Sequence, residues 1–197
     1  MELSFHDLKQ NFQRFENEKL IRIATEKADG LRPEAVQALQ EVIKERGLSE
    51  SILKGLQLQR QGIDEKTLLT HVELVRVLPC PDCGTKASKL NGTVCGTVVS
   101  FIIMTNYGKR LKIACPTCLD KACDSATGKS AAFGWWGFPW GIIRTIQCLT
   151  FNSRMKKQNH SVGPNETLLA FVHSKIGVLE AHRNDKPRLL EIIKDIN

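Results

Sequence analysis

Two Cys-x-x-Cys pairs, Cys80-Pro81-Asp82-Cys83 and Cys115-Pro116-Thr117-Cys118, carry the clearest chemical potential in this chain of 197 residues. Each pair places two thiolates on one tight turn. Two such pairs supply the four soft ligands that a tetrahedral zinc ion takes at about 2.3 Å per Zn–S bond. Pro follows the first cysteine of both pairs, and Gly84 permits a backbone turn that aims amides at the sulfurs. The 31 residues between Cys83 and Cys115 can form a hairpin that returns the second pair to the first. The spacing predicts one structural zinc held by Cys80, Cys83, Cys115 and Cys118. An iron ion in the same four-thiolate set stays open as an alternative. A redox dithiol would need a single pair beside a strand-helix-strand pattern, which is lacking. Four protein ligands leave the metal no position for activating water, so the expected role is to hold the fold together.

The other three cysteines, Cys95, Cys123 and Cys148, have no ligand spacing and are expected to be small buried hydrophobes. An odd total of seven fits a reducing compartment better than a disulfide framework. The start, Met1-Glu2-Leu3-Ser4-Phe5-His6-Asp7, shows no basic segment leading into an apolar one, so a cytosolic location is expected. No catalytic constellation stands out. The five histidines (His6, His71, His160, His173, His182) are scattered, and His173 falls on an apolar helical face as a core residue would. Neither a P-loop nor a nucleophile elbow is present. No enzymatic activity is expected.

The elements around the cysteines follow from periodicity. Phe5, Leu8, Phe12 and Phe15 form a helical stripe that continues through Leu20, Ile21, Ile23 and Ala24 to Asp29-Gly30. Pro33 opens a second helix that closes at Lys44, Arg46 and Gly47. Ser49 and Asp64 cap two more, carrying Ile52, Leu53, Leu56 and then Leu68, Leu69, Val72. Beyond Pro79 the run Thr93–Thr105 is rich in Val, Thr and Ile, and Lys109–Ala114 alternates basic and apolar residues. This reads as a hairpin or three-stranded sheet turning near Asn106-Tyr107-Gly108. Residues 152–163 look like a polar linker, followed by helices after the candidate cap Asn165 and after Pro187. The expected fold is α+β, with a helical module at 1–78, a zinc ribbon at 79–130, a tryptophan-rich segment and linker at 131–160, and C-terminal helices at 161–197.

Residues 131–151 are the most apolar stretch, and the three tryptophans Trp135, Trp136 and Trp140 lie within six residues. Packing over the ribbon or the helical module is the first expectation. An interfacial anchor or partner-binding loop is the second, with Arg144, Arg154, Lys156 and Lys157 facing anionic head groups. The uninterrupted run ends at Arg144 and contains Pro139, too short for the roughly 20 apolar residues of a spanning helix. The formal charge is +7, and it concentrates in the middle of the chain. Residues 79–130 hold 7 basic and 3 acidic side chains, and residues 131–160 hold 4 basic and none acidic. A zinc ion with four thiolates removes two positive charges overall. Lys109, Arg110 and Lys112, with Tyr107 beside them, could meet nucleic acid at the hairpin turn, but a solvated turn is the first expectation.

The stretch from Cys80 to Cys118 resembles a zinc ribbon, the rubredoxin-like knuckle-and-hairpin module. Gly134-Trp135-Trp136-Gly137-Phe138-Pro139-Trp140-Gly141, together with Leu20–Ala24 and Leu31–Val36, is similar to a poorly characterised group of bacterial zinc-ribbon proteins. That resemblance implies a ribbon fold and no particular activity. The lipopolysaccharide-induced-factor type of membrane zinc domain is similar in pairing Cys-x-x-Cys motifs with an apolar segment, there placed between the pairs. The first functional expectation is a scaffold binding a protein partner. A nucleic-acid binder is second, and a peripheral membrane protein anchored through Trp135, Trp136 and Trp140 is third.

Overall fold

The structure is a computed structural model that describes residues 4–101 and 104–197, so Met1–Leu3 and, within the Thr93–Thr105 run, Ile102 and Ile103 lie outside it. It is α+β, and the chain divides into two compact units. One comprises residues up to His71 together with Val172–Leu189, and the other Val72–Phe171 together with Leu190–Asn197.

The first unit is helical. Helices α1 (Phe5–Gln13), α2 (Asn17–Glu26), α3 (Pro33–Glu45) and α4 (Glu50–Gln61) enclose Phe12, Leu20, Leu39, Val42, Ile43 and Leu56. Ser4 and Asp7 form a reciprocal capping box at the start of α1. Pro33 opens α3 and Ser49 accepts a hydrogen bond from the Ser51 N–H at the start of α4, as their sequence positions predict. The apolar stripe of the first two helices is continuous in sequence, but the backbone breaks between them. The Arg46 guanidinium captures that break, donating to the carbonyls of Gln13 (2.6 Å) and Phe15 (2.7 Å) and to the Asn17 side chain (2.8 Å). The pattern shows only which face is apolar; a clamp from α3 decides where the helix stops. Helix α9 (Ile176–Ala181) packs on α4, and its buried Glu180 meets buried His71 at 2.8 Å. His173 is exposed, against expectation, and His71 is the interior histidine.

The second unit is built on one antiparallel hairpin, β1 (Asn91–Phe101) and β2 (Met104–Ala114), paired from Asn91↔Ala114 to Phe101↔Met104. Asn106, Tyr107 and Gly108 lie inside β2, opposite Val99, Val98 and Thr97, and not at the turn. Longer pairing buries Val98 and Ser100, and that tertiary gain overrides the local turn signal. Helices α6 (Pro116–Phe133) and α7 (Trp140–Gln158) flank β1, leaving β2 as the exposed edge. Helix α7 runs through most of the stretch that reads as a linker, because Cys148 and Asn152 are buried on its inner face.

A two-stranded sheet leaves backbone groups unpaired along its outer sides, and burying them without partners is costly. Here side-chain amides take the place of a third strand. Asn152 on α7 accepts from the Gly96 N–H (2.7 Å) and donates to the Gly96 carbonyl (2.9 Å). Asn165 does the same for Gly92, at 3.4 and 2.6 Å, while also capping α8 (Glu166–Ser174) through the Leu168 N–H. Asn197 does so for Ile113 on β2, at 2.8 and 3.0 Å, just beyond α10 (Lys186–Lys194). The Ser130 hydroxyl accepts from the Val98 N–H at 3.0 Å. A Cβ on residue 96 would sit 3.0 Å from the Cys148 sulfur, so glycine there lets α7 approach closely enough for the Asn152 amide to reach.

Candidate metal centre and apolar tip

Cys80 and Cys83 lie on a turn that follows α5 (Glu65–Arg76) and precedes β1. The turn is closed by the Gly84 N–H donating to the Cys80 carbonyl (2.8 Å) and the Cys80 N–H donating to the Thr85 carbonyl (2.9 Å). Gly84 has φ +71°, a left-handed conformation that a side chain would strain. Cys115 is the N-cap of α6 and Cys118 lies in its first turn, so the second pair is delivered by a helix. Pro116 occupies the first helical position, where a missing N–H costs nothing. The positive end of the helix dipole therefore points at the sulfurs and favours their thiolate forms.

The hairpin brings the four sulfurs together. All lie within 4.8 Å of one another, and those of Cys83 and Cys115 are 3.7 Å apart. Ligands at about 2.3 Å from a tetrahedral centre are about 3.8 Å from each other, so this cage has the dimensions for a thiolate-bound metal ion. The four cysteines could hold a metal ion, as their spacing predicts. The Cys115 N–H donates to the Cys80 sulfur at 3.4 Å. Burial opposes ionisation of Cys80, but backbone hydrogen bonds from Cys115, Cys83 and Asp82 outweigh it and bring the thiol down to about 7. Burial pushes Cys115 and Cys118 up. Metal capture must therefore displace protons from the buried thiols.

The basic residues of the hairpin are not at its turn. Lys112 pairs with Asp82 on the cysteine turn at 2.9 Å. Lys109 lies over the rings of Phe151 (4.9 Å) and Tyr107 (5.9 Å). The Lys109 and Lys112 charges are thus engaged along the body of β2, where Arg110 is exposed.

The far end of the hairpin is apolar. Phe101 and Met104 are exposed there, beside the segment joining α6 to α7. Ser100 and Thr105 touch that segment at Gly137 and Gly141. The expectation that the tryptophans pack inward does not hold. Trp136, Phe138 and Trp140 are 70%, 84% and 67% exposed, and Phe133, Ile143 and Ile146 join them on the surface. What packs inward is the small and polar complement, Gly134, Gly137, Gly141 and Thr145. The indole N–H groups of Trp135 and Trp136 donate back to the carbonyls of Ala131 and Ala132 at the end of α6, which holds those rings at the surface. Trp136, Phe138 and Trp140 alternate at the strand period, but the segment is a turn leading into α7 and Trp135 falls off that pattern, so only their placement reveals their direction.

Cys95, Cys123 and Cys148 are buried, as their lack of ligand spacing predicts. Sequence reasoning did not pair Cys95 with Cys123, whose sulfurs lie 3.4 Å apart. It also missed α6. Leu119, Cys123, Ala126 and Ser130, at spacings of four, three and four, are its buried stripe and were the available signal. Comparison with protein-family models found no match, and comparison with curated proteins and with solved structures found none either.

Proposed function

We propose that this chain is a non-enzymatic peripheral membrane protein, whose second unit is stapled by one zinc ion and seats its aromatic tip on an anionic lipid surface. The observation that carries this reading is the exposed cluster of Phe101, Met104, Phe133, Trp136, Phe138 and Trp140 at one end of the hairpin. Isolated exposed apolar residues are ordinary, but six large apolar side chains exposed on the hairpin end and on the segment lying against it mark a contact surface. Tryptophan in particular suits the boundary between water and acyl chains.

Charge supports lipid as the occupant. No Asp or Glu occurs from Cys83 to Leu119 or from Ser125 to Asn165, and Lys129 and Arg144, each exposed, stand one helical turn from the exposed Phe133 and Trp140. Anionic head groups attract such a surface, with each nearby Lys or Arg contributing about 1 kcal/mol. Among the described residues no helix is long and apolar enough to cross a membrane, so the tip would lie in the interface. Zinc is the metal of choice because four thiolates form a closed, soft tetrahedral set.

Trp136 and Phe138 are 70% and 84% exposed. At about 200 Å² per ring and roughly 25 cal/mol per Å², seating half of that exposed area contributes about 4 kcal/mol. Flotation with phosphatidylcholine vesicles, with and without phosphatidylserine, tests the reading. The metal-loaded chain should float with the anionic vesicles, and a Trp136→Ala/Phe138→Ala variant should lose at least a hundredfold in partition with an unchanged melting temperature. A chain that stays in the aqueous fraction with both vesicles sinks the proposal and assigns the tip to a protein surface.

A further inference from the structure

We propose that Cys95 and Cys123 form a reactive site apart from the metal centre, a dithiol that a small hydroperoxide oxidises to a disulfide joining β1 to α6. The two sulfurs are 3.4 Å apart, with no atom of another residue needed to bring them together. The Thr93 hydroxyl, two residues before Cys95 and on the same face of β1, lies 3.6 Å from the Cys123 sulfur. The apolar side chains packed with the pair are small, Ala126 and the half-buried Ala122, and the sulfurs themselves are enclosed, Cys95 being 7% and Cys123 1% exposed, so the peroxide must be small enough to enter as the α6 side opens. Among the described residues no third ligand completes a metal site here; the cluster that could hold a metal is the other set of four cysteines.

The pair is chemically asymmetric. The hydrogen shared with Cys95, opposed by burial and aided by Thr93 and Asn159, lowers Cys123 to about 6, against a contrary push from the Asp120 carboxylate. Sharing that hydrogen with Cys123, together with burial, pushes Cys95 up. The Thr93 hydroxyl at 3.6 Å from the Cys123 sulfur gives that sulfur the second polar neighbour a thiolate needs, which makes Cys123 the nucleophile and Cys95 the resolving thiol.

In the first step the Cys123 thiolate attacks one peroxide oxygen. The S–O bond forms, the O–O bond breaks, and the departing oxygen is protonated to water or alcohol. In the second step the Cys95 sulfur attacks the Cys123 sulfenic acid; the S–S bond forms, the S–O bond breaks, and the Cys95 proton leaves with the oxygen as water. Two electrons pass from the sulfurs to the peroxide. The sulfurs must close from 3.4 Å to about 2.05 Å. A low-molecular-weight thiol reverses the product.

The test uses the metal-loaded full chain, stoichiometric hydrogen peroxide, and peptide mapping without reductant. The expected result is loss of the mass of two hydrogens, a cross-linked peptide joining Cys95 to Cys123, and full retention of the metal. In Cys95→Ser the Cys123 sulfenic acid should persist and be trapped by dimedone; in Cys123→Ser no trapped acid should form at Cys95. Parent chain that yields no cross-link while metal is retained, or oxidation confined to the four metal-site cysteines, overturns the proposal whatever the variants do.

Discussion

Replacing Asn152 by Ala removes the surrogate strand along β1. The Asn152 side chain is 1% exposed and serves both backbone groups of buried Gly96, accepting at 2.7 Å and donating at 2.9 Å. Its amide also donates to the Thr127 hydroxyl at 3.3 Å. Truncation leaves a buried N–H and a buried carbonyl without partners, each worth about 1–3 kcal/mol, less whatever a water admitted to the new space restores. The expected loss is therefore about 2–5 kcal/mol, a large share of the roughly 5–15 kcal/mol that stabilises a domain. Urea unfolding of the metal-loaded chain, followed by tryptophan fluorescence, measures it. Asn152→Asp separates hydrogen bonding from volume. The carboxylate can still accept from the Gly96 N–H but must face the Gly96 carbonyl with a second acceptor, so it should be no milder than Ala. If Asn152→Ala unfolds within 0.5 kcal/mol of the parent and the Gly96 amide still exchanges slowly, the account of this edge is wrong.

Cys118→Ser should reduce bound metal from about one per chain to near zero by elemental analysis, since an incomplete thiolate set cannot hold a structural ion; one retained metal would contradict the four-ligand assignment. Metal should leave on acidification, because thiolate ligands bind protons in competition with the ion, and a chromophoric chelator will report its release as pH falls. Gly137→Ala places a Cβ 2.8 Å from the Thr105 hydroxyl and 3.2 Å from the Ser100 Cβ, and should lower stability by about 1–3 kcal/mol in thermal melts. Arg46→Ala releases two carbonyls and an Asn side chain at the α1–α2 break, and a loss of about 1–3 kcal/mol is expected in urea unfolding.

The parts of the molecule that sequence reveals are those governed by short-range rules. Ligand spacing at Cys80, Cys83, Cys115 and Cys118 locates the cage because cysteines three residues apart share one turn of chain, whether the tight turn at Cys80 or the first turn of α6 at Cys115. Ser49, Asp64 and Asn165 act as caps because a cap needs only the next few amides. Long-range competition hides the rest. Asn106-Tyr107-Gly108 has turn chemistry, yet cross-strand pairing recruits it into β2. Helix α6 presents Ala, Ser, Cys and Gly in place of bulky apolar residues, so its stripe is faint. The tryptophans look like core by composition, and their exposure depends on small residues at Gly134, Gly137 and Thr145 claiming the interior instead. Asn152 and Asn197 look like surface residues, and only the unpaired edges of a two-stranded sheet explain their inward placement.

The eleven-residue strands give the second unit a long axis. At about 3.3 Å per residue, Met104 and Ala114 stand roughly 30 Å apart, comparable to the hydrocarbon thickness of a bilayer. The cysteine cage and the aromatic end are consequently insulated from each other. With its rings seated in lipid, the unit would keep its metal in bulk water, open to chelators, protons and competing ions. With the rings so seated, replacement of one ion by another would leave the aromatic end on the surface, whereas outright removal of the ion would loosen the unit that carries it.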